Sequence, residues 1–211
     1  MSRRRPDIQL GSVLAAVGAA GHHDATSNVV LDAGEQLLRR YGLHRWTMAD
    51  VADAAHLGRT TVYRSFANRD DLVHAVLARE LHQTLAAIAG AVEAETSIED
   101  KVVAAAVVGL RALNGSVVDQ LLHSDPATFL PFLTTDAGPL LAIARTSLAS
   151  QVRAFDPAID PRLAEEVGEA AARLGLSFIL TRDSVVPLDD PVAARQSVRR
   201  LLQPLLTTLR A

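Results

Sequence analysis

The sequence predicts an all-α protein: an N-terminal helix-turn-helix unit of three helices, followed by a larger C-terminal helical domain. Three observations predict it. From residue 24 onward, apolar residues recur at three- and four-residue spacing in one stretch after another. No segment of useful length alternates polar and apolar as a half-buried strand does. The breaks between stretches hold Gly, Pro, Asp and Ser where helices start and stop.

The opening segment, "MSRRRPDIQLGSVLAAVGAAG", has the outline of a secretory signal, with an arginine cluster before a short apolar stretch. Asp7, Gln9 and three glycines dilute that stretch, and no clean cleavage site follows. Residues 1–23 are therefore expected to be a flexible arm, with Arg3, Arg4 and Arg5 able to touch DNA phosphates or the minor groove. No apolar run reaches the roughly 18 residues that cross a bilayer, so no membrane contact is expected and the expected location is the cytoplasm.

In residues 24–41, Val30, Ala33, Leu37, Leu38 and Tyr41 form one apolar stripe. Asp24 or Ser27 can cap its start, and Gly42 stands where a left-handed C-terminal cap belongs. "WTMADVADAA" follows. Thr47 and Asp50 make a variant of the capping box, Trp46 and Val51 can form a hydrophobic staple, and a helix starts at residue 48. "HLG" interrupts it: His56 can take positive φ, and Gly58 can cap the next helix, 59 to about 66. "ANRDD" reads as a loop, Asp70 and Asp71 favour the start of a longer helix, and Leu72, Val73, Val76, Leu77, Leu81, Leu85 and Ile88 mark its stripe.

A Ser97 cap opens a helix from about 98 to 113, and "SVVDQLLHS" makes a short one. "DPATFLPFLTTDAGP" holds Pro126, Pro131 and Pro139 and reads as broken helix. Helices from 140 to 155, about 161 to 182 and about 191 to 210 complete the chain, and there is no repeat of fixed period. The domain boundaries are expected at 1–23 for the arm, 24–70 for the helix-turn-helix unit, and 71–211 for the larger domain.

A short helix, a three-residue turn and a second short helix is the helix-turn-helix arrangement. Val51, Ala52, Ala55, Leu57, Val62 and Phe66 can face inward, and small Ala52 and Ala55 let the helices cross closely. Arg59, Thr60, Tyr63 and Arg64 remain on the outer face, and the start of the second helix turns N–H groups outward, which suits phosphate. The charge agrees. Residues 1–69 hold nine arginines against six acids, a net of +3, so the rest of the chain carries −6 to reach the total of −3. A basic region on an acidic protein suits one end facing a polyanion.

Residues 25–80, above all "TMADVADAAHLGRTTVYRSFANRDDLVHAV", resemble the DNA-binding domain of the TetR family of bacterial transcriptional regulators. The segment "LGLSFILTRDSVVPLDDPVAARQSVRRLLQPLL" is similar to the last two helices of many members. The resemblance implies a DNA-binding regulator, with roles that carry over by position. Thr47 would bind a phosphate oxygen. Arg59, Thr60 and Thr61 would enter the major groove. Tyr63 would reach a phosphate or a thymine methyl, and Arg64 a base or phosphate. Arg69 would clamp the backbone, and Arg45 adds a phosphate contact. His56 stands where many members have Gly, Gly58 where they have Ser, Arg69 where Lys is common, and Thr60 where a small Gly or Ala is frequent. Thr60 adds a base contact, so the operator sequence does not carry over by analogy.

The resemblance also implies a small-molecule effector, and the apolar character of the larger domain makes it apolar or amphipathic. Leu110, Leu113, Leu122, Phe129, Leu130, Phe132, Leu133, Leu140, Leu141, Phe155, Leu174 and Phe178 are core by default. The prolines among them favour gaps, and gaps in helical domains become ligand sites. Arg111, Asn114, His123, Phe129, Phe132, Arg145 and Phe178 are the effector-contact expectations. The last two helices, with Leu163, Val167, Ala170, Ala171, Leu174, Ser177 and Phe178 on one and Val192, Ala193, Val198, Leu201, Leu202, Leu205 and Leu206 on the other, are expected to form a homodimer as a four-helix interface. A two-fold dimer would read double-stranded DNA carrying an inverted repeat. The helix from 70 to 90 is the expected lever between effector and DNA.

An enzyme is the first alternative, and the residues speak against it. There is no Gly-rich phosphate loop and no HExxH among seven histidines, and "GLSFI" lacks the second glycine of a nucleophile elbow. With no cysteine, thiol catalysis and zinc-thiolate sites are excluded, and no cofactor or metal is expected. The second alternative is a helical protein that binds DNA or a partner without any effector.

Overall fold

The computed structural model describes residues 8–18, 20–112, 114–181 and 183–208. Eleven helices and no strand lie among the described residues: α1 (Leu10–Val17), α2 (Ala25–Tyr41), α3 (Met48–Ala54), α4 (Arg59–Ser65), α5 (Arg69–Glu93), α6 (Ile98–Ala112), α7 (Val117–Ser124), α8 (Pro126–Leu133), α9 (Gly138–Phe155), α10 (Pro161–Leu180) and α11 (Pro191–Thr208). The fold is all-α, as the periodicity predicts.

The chain forms two compact units. The first runs to Gln83 and takes in Gly115–Leu130, and the second holds Thr84–Asn114 and Pro131 onward. This geometric division differs from the 70/71 boundary read from the sequence. The reason is packing: Leu72, Val73, Val76 and Leu77 of α5 and Leu121 of α7 are buried in the first unit.

Polar caps set the helix starts. The Asp24 carboxylate accepts the Ser27 amide at 2.7 Å. Ser97 accepts the Asp100 amide at 3.1 Å, and Ser116 the Asp119 amide at 2.9 Å. Asn68 accepts the Asp71 amide at 2.8 Å, so α5 begins at Arg69, inside the stretch the sequence reads as loop. An Asn side chain satisfies the exposed amides as well as an aspartate does, and the two acids that follow suit the first turn.

Within the segment expected to be a flexible arm, α1 spans Leu10–Val17. Ile8, Val13 and Ala20 are buried, and the Gln9 amide donates to His74 Nε2 at 3.2 Å. The apolar residues that resemble a signal segment are instead one face of α1. Arg3, Arg4 and Arg5 lie outside the described residues, as do Leu113 and the side chains of Phe155, Leu205 and Leu206.

In the first unit Trp46, Leu31, Leu38, Leu43, Leu72, Leu121, Val30, Val51, Val62, Val73 and Val76 are fully buried. Tyr41, expected in the stripe of α2, is exposed, with the Arg40 guanidinium 5.1 Å over its ring. Gly42 closes α2 at φ 61° and ψ −151°, positive as expected but outside the left-handed helical well. A Cβ there would also meet Ser124 Oγ at 3.1 Å, so strain and crowding both disfavour a larger residue.

The second unit is built from helix pairs. Val103 and Val107 of α6 pack with Ala194, Val198 and Leu202 of α11. Ala149 and Val152 of α9 pack with Ala164 of α10. Gly168 lets α9 and α10 touch: a Cβ would lie 2.9 Å from the Arg145 carbonyl oxygen. Several residues expected in the core are only half-buried, among them Leu110, Phe132, Leu140 and Phe178, while Leu130 and Leu174 are exposed.

Candidate nucleic-acid interface

Two short helices with a fixed crossing make the site. The capping box at the start of α3 is complete: the Asp50 amide donates to Thr47 Oγ1 at 3.3 Å, and the Thr47 amide donates to Asp50 Oδ2 at 2.6 Å. Trp46 and Val51 are buried on either side of it, where a staple places them. The turn closes through the Leu57 amide, which donates to the Ala52 carbonyl at 3.0 Å. His56 takes φ 53° there, a conformation His tolerates better than most residues. Gly58 then caps α4 with extended backbone.

Packing aims the recognition helix. Val62 is fully buried and Phe66 nearly so, while Ala52 and Ala55 let α3 and α4 approach. The same packing leaves Arg59, Thr60, Tyr63 and Arg64 exposed on one side of α4, with Thr61 half-buried. Arg64 also lies near the start of α2. The Asp24 carboxyl is held below the usual carboxylate range, first by the Ser27 amide and more weakly by the Arg64 charge.

Two residues carry structural duties as well. The Thr47 hydroxyl donates to Asp50 Oδ2 at 2.8 Å, so binding a phosphate requires that single proton to switch partner. Arg69 is engaged inside the fold. It donates to the carbonyls of Trp46, at 3.1 Å, and Leu43, and its guanidinium lies 4.8 Å over the Trp46 ring. Trp46 in turn donates its indole N–H to the Gly42 carbonyl at 2.8 Å. Arg69 thereby ties α5 to the loop that enters α3.

Arg45 is exposed, on the rim of a cleft of about 590 Å³ that also holds Arg39, Arg40, His44 and His123. Sequence reasoning counts Arg39 and Arg40 only as charge, and the arginine pair ahead of "YG" is the available signal. The cleft is bounded by α7, whose Asp125 cap lies 2.7 Å from His44 Nε2.

The effector-contact expectations are divided between the two units. His123 and Phe129 belong to the first unit, where His123 is exposed beside Asp119 and Phe129 is buried. The other five belong to the second. Arg111 and Asn114 reach Asp189, at 3.4 and 3.5 Å, and so tie the end of α6 to the loop before α11. Arg145 pairs with Glu169 at 3.2 Å across α9 and α10. Phe132 and Phe178 are half-buried. No single helix among the described residues is long and apolar enough to cross a membrane.

Comparison with known proteins matches both parts. Residues 30–76 match the family described as bacterial regulatory proteins, tetR family, and residues 95–204 match the bacterial tetracyclin repressor, C-terminal domain. The HTH-type transcriptional regulator TtgR of Pseudomonas putida is 34% identical over 70 residues. That stretch is 33% of each protein, so the chain matches a third of this curated relative's length. Among solved structures, the TetR family repressor AlkX of a Dietzia species is 27% identical, with a TM-score of 0.58 over 86% of this chain and 97% of that one. The fatty acid degradation regulator FadR of Bacillus halodurans shares the fold alone, at 16% identity and a TM-score of 0.55 over 85% and 95% of the two chains. The C-terminal match alone spans half of the sequence and the N-terminal match covers the helix-turn-helix, so the chain belongs to the TetR family of bacterial regulators, as a DNA-binding transcriptional regulator.

Proposed function

We propose that the protein is a homodimeric repressor that leaves an inverted-repeat operator when a small apolar or amphipathic molecule binds. The observation that carries the DNA part is the exposed row Arg59, Thr60, Tyr63 and Arg64 on a helix held rigid by buried Val62 and Phe66. These four, with Thr61, enter the major groove, and Arg45 and Thr47 take phosphates. Arg69 supports this surface from inside the fold. Two recognition helices related by a two-fold axis lie about 34–36 Å apart to read successive major grooves. For the effector, the support is the apolar second domain and the likeness to AlkX, a repressor implicated in biodegradation of n-alkanes. Release follows by linkage, with a coupling of about 1–3 kcal/mol between effector and DNA.

The alternative is a DNA-binding protein without an effector. Selecting bound duplexes from a random pool tests the DNA reading, and a pool with no enriched motif overturns it. Titrating the selected complex with medium-chain alkanes and fatty acids tests release. Affinity unchanged at saturation by every compound selects the alternative.

A further inference from the structure

The cleft of about 590 Å³ at the C-terminal end of α2 holds charges that the recognition helix does not use. It lies within the first unit, between the loop that leads into α3 and the helix α7. Its two walls are tied together. A Cβ on Gly42 would sit 3.1 Å from Ser124 Oγ. His44 Nε2 lies 2.7 Å from Oδ2 of the buried Asp125, and Arg39 donates to the Gly115 carbonyl.

Most charges around the cleft are met locally. Arg39 pairs with Glu35 at 2.9 Å, His44 faces Asp125, and His123 Nδ1 lies 3.2 Å from Asp119 Oδ1. Arg40 and Arg45 differ. Both are exposed on the rim, and among the described residues neither pairs with a carboxylate. Arg40 instead lies over the Tyr41 ring, 5.1 Å from its centre. On the wall, Gln120 Oε1 is buried and has no hydrogen-bond partner among the described residues.

Two unpaired guanidinium groups and one unmet acceptor describe a ligand. A guanidinium binds phosphate through two parallel N–H groups. The acceptor calls for a hydroxyl or amino group on the same molecule, because a buried acceptor left unmet is costly. The volume falls in the range of about 300–1,000 Å³ that small-molecule sites occupy. We infer that this cleft binds a small phosphomonoester that also carries a hydroxyl or amino group, gripped by Arg40 and Arg45 and bonded to Gln120. Occupation engages Arg45, which the reading above gives to a DNA phosphate, so ligand and operator compete. The competition rests on the DNA-binding reading, and the binding itself does not.

Calorimetric titration of the full-length protein with glucose 6-phosphate tests the site, with glucose and potassium chloride of equal ionic strength as controls. Saturable binding is expected, tighter than that of inorganic phosphate, and none by glucose. Arg40→Ala and Arg45→Ala are each expected to weaken it about tenfold. Gln120→Leu is expected to lose the preference over inorganic phosphate. Arg153→Ala, which removes an exposed arginine of the second unit, leaves Kd unchanged, and melting curves confirm that each variant is folded. No saturable binding beyond the chloride control overturns the inference, as does an unchanged Kd in the Arg40→Ala/Arg45→Ala double variant. A double variant altered only in the salt dependence of DNA binding places these arginines on DNA phosphates and overturns it too. At saturation, glucose 6-phosphate is expected to weaken binding of the selected duplex at least about fivefold more than chloride does. Equal weakening overturns the competition. Because the titration contains no DNA, its failure is distinct from failure of the DNA-binding reading.

Discussion

Individual side chains on this interface divide into those that touch outward and those that hold the surface in place. Arg59 is exposed at the first position of α4, where bidentate pairing with guanine is geometrically open. Arg59→Ala is expected to weaken binding to the selected duplex by about 1–3 kcal/mol and to relax preference at one base pair, measured by binding to single-base variants of that duplex. Equal loss on every sequence would show a phosphate contact instead. Arg69 is the opposite case. Its guanidinium bridges the carbonyls of Leu43 and Trp46 while stacking on the Trp46 ring. Lysine is a point charge and cannot make the planar fork. Arg69→Lys is expected to lower stability by about 1–2 kcal/mol, read by thermal melting, although the charge is kept. These two arginines are alike in sequence. Only the burial of Trp46 beneath one of them separates their roles.

At the scale of elements, α7 shows how a short helix is fastened. Its first amide, Val117, donates at 2.7 Å to the carboxylate of Glu80 on α5, and Val118 donates to the same group at 3.4 Å. Burial pushes the Glu80 carboxyl above its ordinary value of 4.5, and those two amides only partly oppose it. A raised folded value means the folded protein holds the proton to higher pH than the unfolded chain. The stability from this group is therefore full below about 4.5 and is lost as pH rises through the folded value. Glu80→Gln keeps an acceptor for Val117 and removes the charge. The melting temperature of the variant is expected to gain on wild type as pH is raised from about 4.5 toward neutrality. Parallel curves would show that the carboxyl titrates alike in both states.

Helix positions are legible in the sequence because capping is local: Asp24, Thr47 with Asp50, Ser97 and Ser116 each bind an amide three residues on. Asn68 escapes a sequence reading because its cap falls inside a polar run that also suits a loop. The helix α1 escapes it because a short apolar stretch after arginines has the same composition whether it packs on α5 or frays.

For the whole molecule, the unpartnered apolar surface of the second unit is the feature with consequences. Leu174 of α10 is 43% exposed, and Val192 and Leu201 of α11 are 68% and 47% exposed. Side chains of this kind at a self-complementary face favour a two-fold dimer. The double variant Leu174→Glu/Leu201→Glu is expected to sediment as a monomer at micromolar concentration and to bind the selected duplex at least about tenfold more weakly. A variant that remains dimeric would move the interface to another face.

The amino-acid sequence by itself determined the helical class, the approximate bounds of most helices after α1 and the outward row of α4. These follow from periodicity and caps, which act within a few residues. The tertiary structure alone decided that Arg69 bonds to the carbonyls of Leu43 and Trp46, that the Gln9 amide is bonded to His74 of α5, and that the seven effector-contact expectations are divided between the two units. Each of those outcomes depends on groups that are distant along the chain. Burial of Trp46, the acceptor at His74 and the packing of α7 are invisible until the chain has folded back on itself.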